Sequence, residues 1–364
     1  MRFVFHRIRE LCVGRGVFWF ALLYGALAGG ATHPAGAAAA AGREAHIALL
    51  LPLNSPSFGR HADAVRQGFA AAARVAGKNA PPVRIYPVNE DSLNVLTVYE
   101  QALEAGARIV VGPLTRAGVG ALAASSLVTV PTLALNALEP GSPQPARLYL
   151  FSLNVEQEAR QIAQLALDEG RRKAFVVTDS TPLGHRMREA FTQEFARRGG
   201  IIAADHAFTD DQAELAKLRQ APELDSADMV FLALDAAAAV KTRPFLGNTP
   251  AIYGTSRVNG GNTAAARALN GVRFTDMPWL LQPDHAAVMV YPRSPFGDAV
   301  DFDRLYAFGI DAFRLGLELL SQSRDPVLDG VTGRIRKGAD QQFLREAAFA
   351  QFSDGKCVLI GEPR

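Results

Sequence analysis

Residues 46–76, HIALLLPLNSPSFGRHADAVRQGFAAAARVA, decide the fold. His46 to Leu53 is a short apolar run of the kind shown by a strand buried on both faces, bounded by Pro52, Asn54, Ser55, Pro56 and Ser57. Val65, Phe69, Ala72, Ala73 and Ala76 then recur at helical spacing, so the stretch reads as strand, loop and helix. In an open α/β sheet such a loop lies at the carboxyl edge of its strand, where helix amino ends present free N–H groups to ligands. Asn54, Ser55, Ser57 and Gly59 are therefore candidate ligand contacts, although Ser and Asn serve equally as helix caps.

Outward from this stretch the same rhythm repeats. Strands are expected at 83–88, 107–111, 128–135 and 148–153, with helices at 95–105 and 114–125 between them. The rhythm restarts with helices at 155–169, 183–198, 211–220 and 236–240 alternating with strands at 173–178, 200–208, 228–234 and 251–253. Short connections in this order predict parallel sheets with right-handed crossovers and helices on both faces. Residues 271–281 read as extended chain. Residues 303–322 read as an amphipathic helix with Tyr306, Ile310, Phe313, Leu317 and Leu320 on its apolar side. In the tail, 330–335 and 347–352 read as strands around a polar turn at 337–341, and Asp354-Gly355 signals a hairpin before 357–360. The tail is thus expected to form a small antiparallel appendage.

The chain has 364 residues, 49% of them apolar, enough for two lobes each with its own core. Arg2, Arg7, Arg9 and Arg15 against Glu10 give residues 1–41 a charge of +3, so the formal +2 leaves −1 on the remainder. That excludes a basic footprint for nucleic acid. A basic start, an apolar run at 17–28 and small residues after it mark 1–41 as an export signal, with contact to a membrane only if it stays uncleaved. Cys12 precedes the apolar run, where no lipid-attachment cysteine is expected. Cys357 is then alone and is expected to be buried in its strand.

Catalytic and cofactor patterns are largely absent. Gly118-Val119-Gly120 before Ala123 matches a dinucleotide fingerprint in letters only, because it falls on a helix. The histidines are scattered, reading as surface or capping residues, and no metal or other cofactor is expected. What remains is a set of polar loops at strand ends. The candidate cleft residues are Asn54, Ser55, Ser57, Pro113, Leu114, Thr115, Asn136, Asp179, Ser180, Asp235, Thr255 and Ser256. Facing one another they would supply hydroxyl, amide and backbone donors to a small polar ligand, a binder rather than an enzyme.

Several phrases carry a resemblance. VVGPL at 110–114, PTLALN at 131–136, FSLNVEQEAR at 151–160, YGTSR at 253–257, MPWLL at 277–281, RLYAFGIDAFRL at 304–315 and GVTGRI at 330–335 resemble the LppC lipoprotein family, over nearly all of 46–362. The overall plan resembles the type I periplasmic-binding fold. This resemblance implies lobe 1 from 46–152 plus 274–321 and lobe 2 from 153–273 plus 322–364, with three hinge crossings. It also implies a periplasmic, non-enzymatic activator of a class A penicillin-binding protein in peptidoglycan synthesis. The alternative is a solute receptor of an ABC transporter that closes on an amino acid or similar ligand.

Overall fold

A computed structural model describes residues 44–361 except 248–249, 298 and 323–325. The export signal expected at 1–41, with Cys12, lies outside the described residues. The described residues form one compact unit, built on two sheets. The first contains β1 (His46–Leu51), β2 (Val83–Pro87), β3 (Ala107–Val111), β4 (Thr132–Ala134) and β5 (Leu148–Phe151). The second contains β6 (Lys173–Thr178), β7 (Ile201–Ala207), β8 (Met229–Ala233), β9 (Ala251–Gly254) and β10 (Arg273–Asp276). Each of these sets is parallel, as short strand–helix–strand connections require.

Burial follows the period of two. All six residues of β1 are buried, Ile47, Leu49 and Leu51 into one core layer and Ala48 and Leu50 into the other. In β6, Phe175 and Val177 enter one layer and Ala174 and Val176 the opposite one. Each sheet with its helices forms one half of the molecule.

In the first half, the helices Gly59–Ala76 and Val300–Leu320 pack side by side on one face. Two glycines permit that approach, because a methyl on Gly68 would lie 1.8 Å from the Tyr306 carbonyl oxygen and one on Gly309 would lie 2.1 Å from that of Val65. The long helix, expected at 303–322, begins three residues earlier and ends at Leu320.

The tail departs from expectation. It continues as β11 (Val327–Gly330), β12 (Gly333–Lys337), β13 (Gln342–Glu346), β14 (Ala348–Ser353) and β15 (Lys356–Leu359). It is not one appendage, and 322–364 do not belong together. The strands β11 to β13 extend the first sheet, with β13 parallel to β5 and Phe343 opposite Phe151. The strands β14 and β15 extend the second, with β14 antiparallel to β10. Likewise β10 lies in the second sheet although 274 onward was assigned to the first lobe. Hairpin signals fix which strands are antiparallel neighbours but not which sheet they join.

Two smaller expectations change with it. Cys357 is exposed, because β15 is the outermost strand of its sheet. His46 is fully buried, its Nδ1 donating to the Glu44 carbonyl at 2.7 Å and its Nε2 accepting from the Tyr86 hydroxyl at 2.8 Å. Among the described residues no helix is long and apolar enough to cross a membrane, and no group of three or more His, Cys, Asp or Glu could hold a metal.

Candidate functional site

Loops at the carboxyl ends of β1, β3 and β4 border a cavity of about 380 Å3 between the halves. Phe58, Leu114, Thr115 and Asn136 line it from the first half, Asn154 and Glu156 from the crossing after β5, and Leu183 and Arg186 from the second half. The capping chemistry of these loops consumes most of their side-chain polarity. Thr115 Oγ1 accepts from Gly118 N at 3.2 Å and Asn154 Oδ1 from Gln157 N at 3.1 Å, each closing a helix start. Asn136 ties its loop to the one after β3, donating from Nδ2 to the Leu114 carbonyl at 2.8 Å and accepting at Oδ1 from Ala137 N at 2.9 Å.

The cavity's two guanidinium groups are paired, Arg186 with a lining carboxylate and Arg116 chiefly with one outside the lining. Glu156 Oε1 lies 3.2 Å from Arg186 Nη1 and 4.0 Å from Arg116 Nη2, and Arg116 Nη1 donates to Glu139 at 2.8 Å. The cavity's lining thus offers helix-start N–H groups, two paired guanidinium groups and the apolar Phe58, Leu114 and Leu183.

The other sequence candidates sit elsewhere. Ser55 is buried, its hydroxyl donating to Glu90 and accepting from Phe58 N at 2.8 Å, while Ser57 N donates to the same carboxylate at 3.3 Å. These bonds, the Ser55 hydroxyl first, hold Glu90 below the usual carboxylate range. They fasten the 54–59 loop to the loop after β2. Asn54 is exposed and Pro113 is buried, its carbonyl accepting from Leu135 N at 2.9 Å. Asp179 accepts from Thr181 N at 2.8 Å beside the exposed Ser180, and Asp235 caps its helix through Ala238 N at 2.9 Å. Thr255 and Ser256 are buried, Thr255 against Met187 Sδ at 3.3 Å and Ser256 donating its N–H to Glu158 at 3.0 Å. The cavity brings together Leu114, Thr115 and Asn136 from the expected set.

Ser256 leads into a feature that the sequence reading missed. Where the chain crosses between halves, after β5, after β10 and between β13 and β14, charged side chains are buried together. Arg304 on the long helix donates to Asp276 from Nη2 at 2.7 Å and Nε at 3.2 Å, and to the carbonyls of Ser256 and Asn259 at 3.0 Å each. Asp276 also accepts from Asn259 Nδ2 and Met277 N, both at 2.9 Å. Glu158 accepts from Arg345 on one oxygen and from Ser256 N on the other, and Arg345 Nη1 reaches the Thr332 carbonyl at 3.0 Å. Asp311 accepts from Val331 N at 3.1 Å, Thr332 N at 2.8 Å and Thr332 Oγ1 at 2.7 Å.

Burial alone would push the Arg304 guanidinium down, but the charge and hydrogen bonds of Asp276, with Asp301 and Glu158, raise it instead. Asp311 goes the other way for an acid, pushed up by burial against the bonds that favour its charge. A signal was present in the sequence. Arg304 and Asp311 fall seven residues apart in one buried helical stripe with Phe308 and Leu315, a place where charge is unusual.

With this geometry in hand, similarity to known proteins becomes informative. The LppC lipoprotein family model matches residues 41–355. The penicillin-binding protein activator LpoA of Photobacterium profundum is 27% identical, across 85% of this chain and 56% of that protein. Curated relatives of that name are covered over 47 to 61% of their length, so the chain spans about half the length of the relatives it matches. Among solved structures, the C-domain of Haemophilus influenzae LpoA, a regulator of PBP1A, superimposes with a TM-score of 0.73 at 25% identity, over 87% of this chain and 100% of that one. A Chromobacterium violaceum structure named as a branched-chain amino acid ABC transporter has the same TM-score at 38% identity, over 85% of this chain and all of that one. On this family match over most of its length, the chain belongs to the LppC lipoprotein family.

Proposed function

We propose that this protein is exported to the periplasm, where it activates a class A penicillin-binding protein through a surface of its two-lobed body, without catalysis of its own. The observation that carries this reading is the coincidence of extents. The described fold corresponds to the whole of the Haemophilus C-domain, and that domain is named as a regulator of PBP1A. The cavity supports it indirectly, since its polar side chains are spent on helix starts and neighbouring backbone and its guanidinium groups on nearby carboxylates.

A second reading is favoured by one observation. A cavity of about 380 Å3 lined in part by the apolar Phe58, Leu114 and Leu183 falls in the size range of small-molecule sites, and the Chromobacterium structure at 38% identity carries a transporter name. In that reading Leu114, Thr115 and Asn136 frame an amino acid or similar ligand.

The deciding experiment is a pull-down from envelope extract with the full chain as bait, paired with mass spectrometry of anything carried in the cavity and a glycan-polymerisation assay on the captured synthase. Capture and faster polymerisation are expected. A bound amino acid with no synthase would overturn the activator reading in favour of the receptor.

A further inference from the structure

We infer that the hinge between the two halves is locked: the buried pairs Arg304–Asp276 and Arg345–Glu158 hold the halves at one angle, so the cleft does not open and close as a clamp. Hinged closure requires a few crossing residues to absorb changes in φ and ψ while their surroundings let them move. Here each crossing is flanked by a charged side chain whose partner lies across it. Glu158 follows the first crossing, Asp276 ends β10 at the second, and Arg345 precedes the third.

The partners belong to opposite halves. Arg304 is on a helix of the first core and bonds Asp276, Ser256 and Asn259 in and after strands of the second sheet. Arg345 is in the first sheet and bonds Glu158, whose helix packs in the core of the second. A change of angle would have to separate both pairs together. None of Glu158, Ser256, Asn259, Asp276, Arg304 and Arg345 exceeds 7% exposure, so water cannot take over the lost bonds as they part. An intermediate angle therefore leaves the buried Asp276 and Glu158 carboxylates without a counter-charge, while Arg304 keeps only the exposed Asp301 of its own helix, which makes the barrier steep and the native angle specific. The third crossing is further pinned from the side, since Gln157 accepts from Arg345 N at 3.4 Å and Gln161 from Ala347 N at 3.3 Å.

This inference goes beyond the activator reading: whatever binds would meet surfaces of both halves at a fixed spacing, and a cleft ligand would bind without closure. The test is a spin-label distance measurement across the cleft mouth. The labels go on cysteines at Leu93 and His185, both exposed and one in each half, in the full chain with Cys12→Ser and Cys357→Ser. One narrow distance distribution is expected, unchanged by free leucine, by a mixture of the twenty amino acids, or by a class A penicillin-binding protein. Two distances, or a shift with any of these, would overturn the lock.

The variant Glu158→Gln, Arg345→Met, Asp276→Asn, Arg304→Met, which removes both pairs, should broaden the distribution; a narrow one in that variant, when folded, would overturn the pairs as the lock. If that variant fails to fold, hydrogen exchange of the unaltered chain replaces it. The amides of Arg345 and Ala347, which donate to Gln157 and Gln161 of the other half, should be protected as strongly as those of β1 and β8, and fast exchange there would overturn the lock. The distances are read with and without a synthase, so failure of the lock and failure of the activator reading are separate results.

Discussion

The cleft and the hinge are two polar regions on opposite terms with water. In the cleft, Arg116 and Arg186 keep 40% and 38% of their side-chain surface exposed, and the pair Arg186–Glu156 sits at 3.2 Å beside solvent. In the hinge, Arg304 and Asp276 retain 8% and 1%. The same residue types thus do different things. Exposed pairs are screened and weak, whereas buried pairs carry a desolvation penalty that only their exact partner offsets. Specificity of arrangement therefore resides at the hinge, and freedom to change without loss of fold resides in the cleft.

That contrast can be broken in order of expected effect. Arg345→Met strands the Glu158 carboxylate without its counter-charge and should lower unfolding free energy by about 3–5 kcal/mol in urea titration. A loss no larger than that of an exposed arginine would dissolve the distinction. Gly309→Ala forces a methyl into the Val65 carbonyl and should lose about 1–3 kcal/mol in the same titration, with no change in the denaturant slope. Thr115→Ala removes a helix cap at the cleft edge and should lose about 1 kcal/mol. Arg186→Ala should change stability by less than about 1 kcal/mol, since its pair is half in water. Under the receptor reading that same variant would alter ligand affinity, so calorimetry with leucine sharpens the comparison further.

Acid offers a control outside both regions. Hydrogen bonding by Arg197, opposed by burial and aided by Gln164 and Arg198, lowers the Glu194 carboxyl from 4.5 to about 2. A carboxylate lowered on folding contributes fully above its unfolded value and loses that contribution as pH falls toward the folded one. The stability difference between the native chain and Glu194→Gln should thus be present at pH 6 and fade between pH 4.5 and 2. A difference that grows on acidification would reverse the assigned direction.

The parallel framework was legible because β1, β6 and β8 are buried on both faces and so read as unbroken apolar runs. The tail was not, because the partner of β13 is β5, and nothing local in QFLRE names a strand so far upstream. Cleft loops were found by rule at strand ends. That Leu114, Thr115 and Asn136 share a cavity while Asp179 and Asp235 serve as turn and cap residues depends on how the halves meet, which periodicity does not encode. Ser55 depends likewise on Glu90, from the neighbouring loop.

The glycine-mediated seating of the helix Val300–Leu320 against Gly59–Ala76 has a temporal side. The first core takes Phe308, Phe313, Ile335 and Phe343 from the last third of the chain, and the second takes Ala350 and Phe352. A chain emerging from its amino end therefore carries β1 to β5 with one face covered only by the helix Gly59–Ala76 until residues 300–320 arrive, and neither half can finish early. Folding is in effect a post-completion event. A nascent chain stalled at residue 299 would expose the apolar faces of Leu49, Phe69 and Ile109 together, the surface on which a holding chaperone acts.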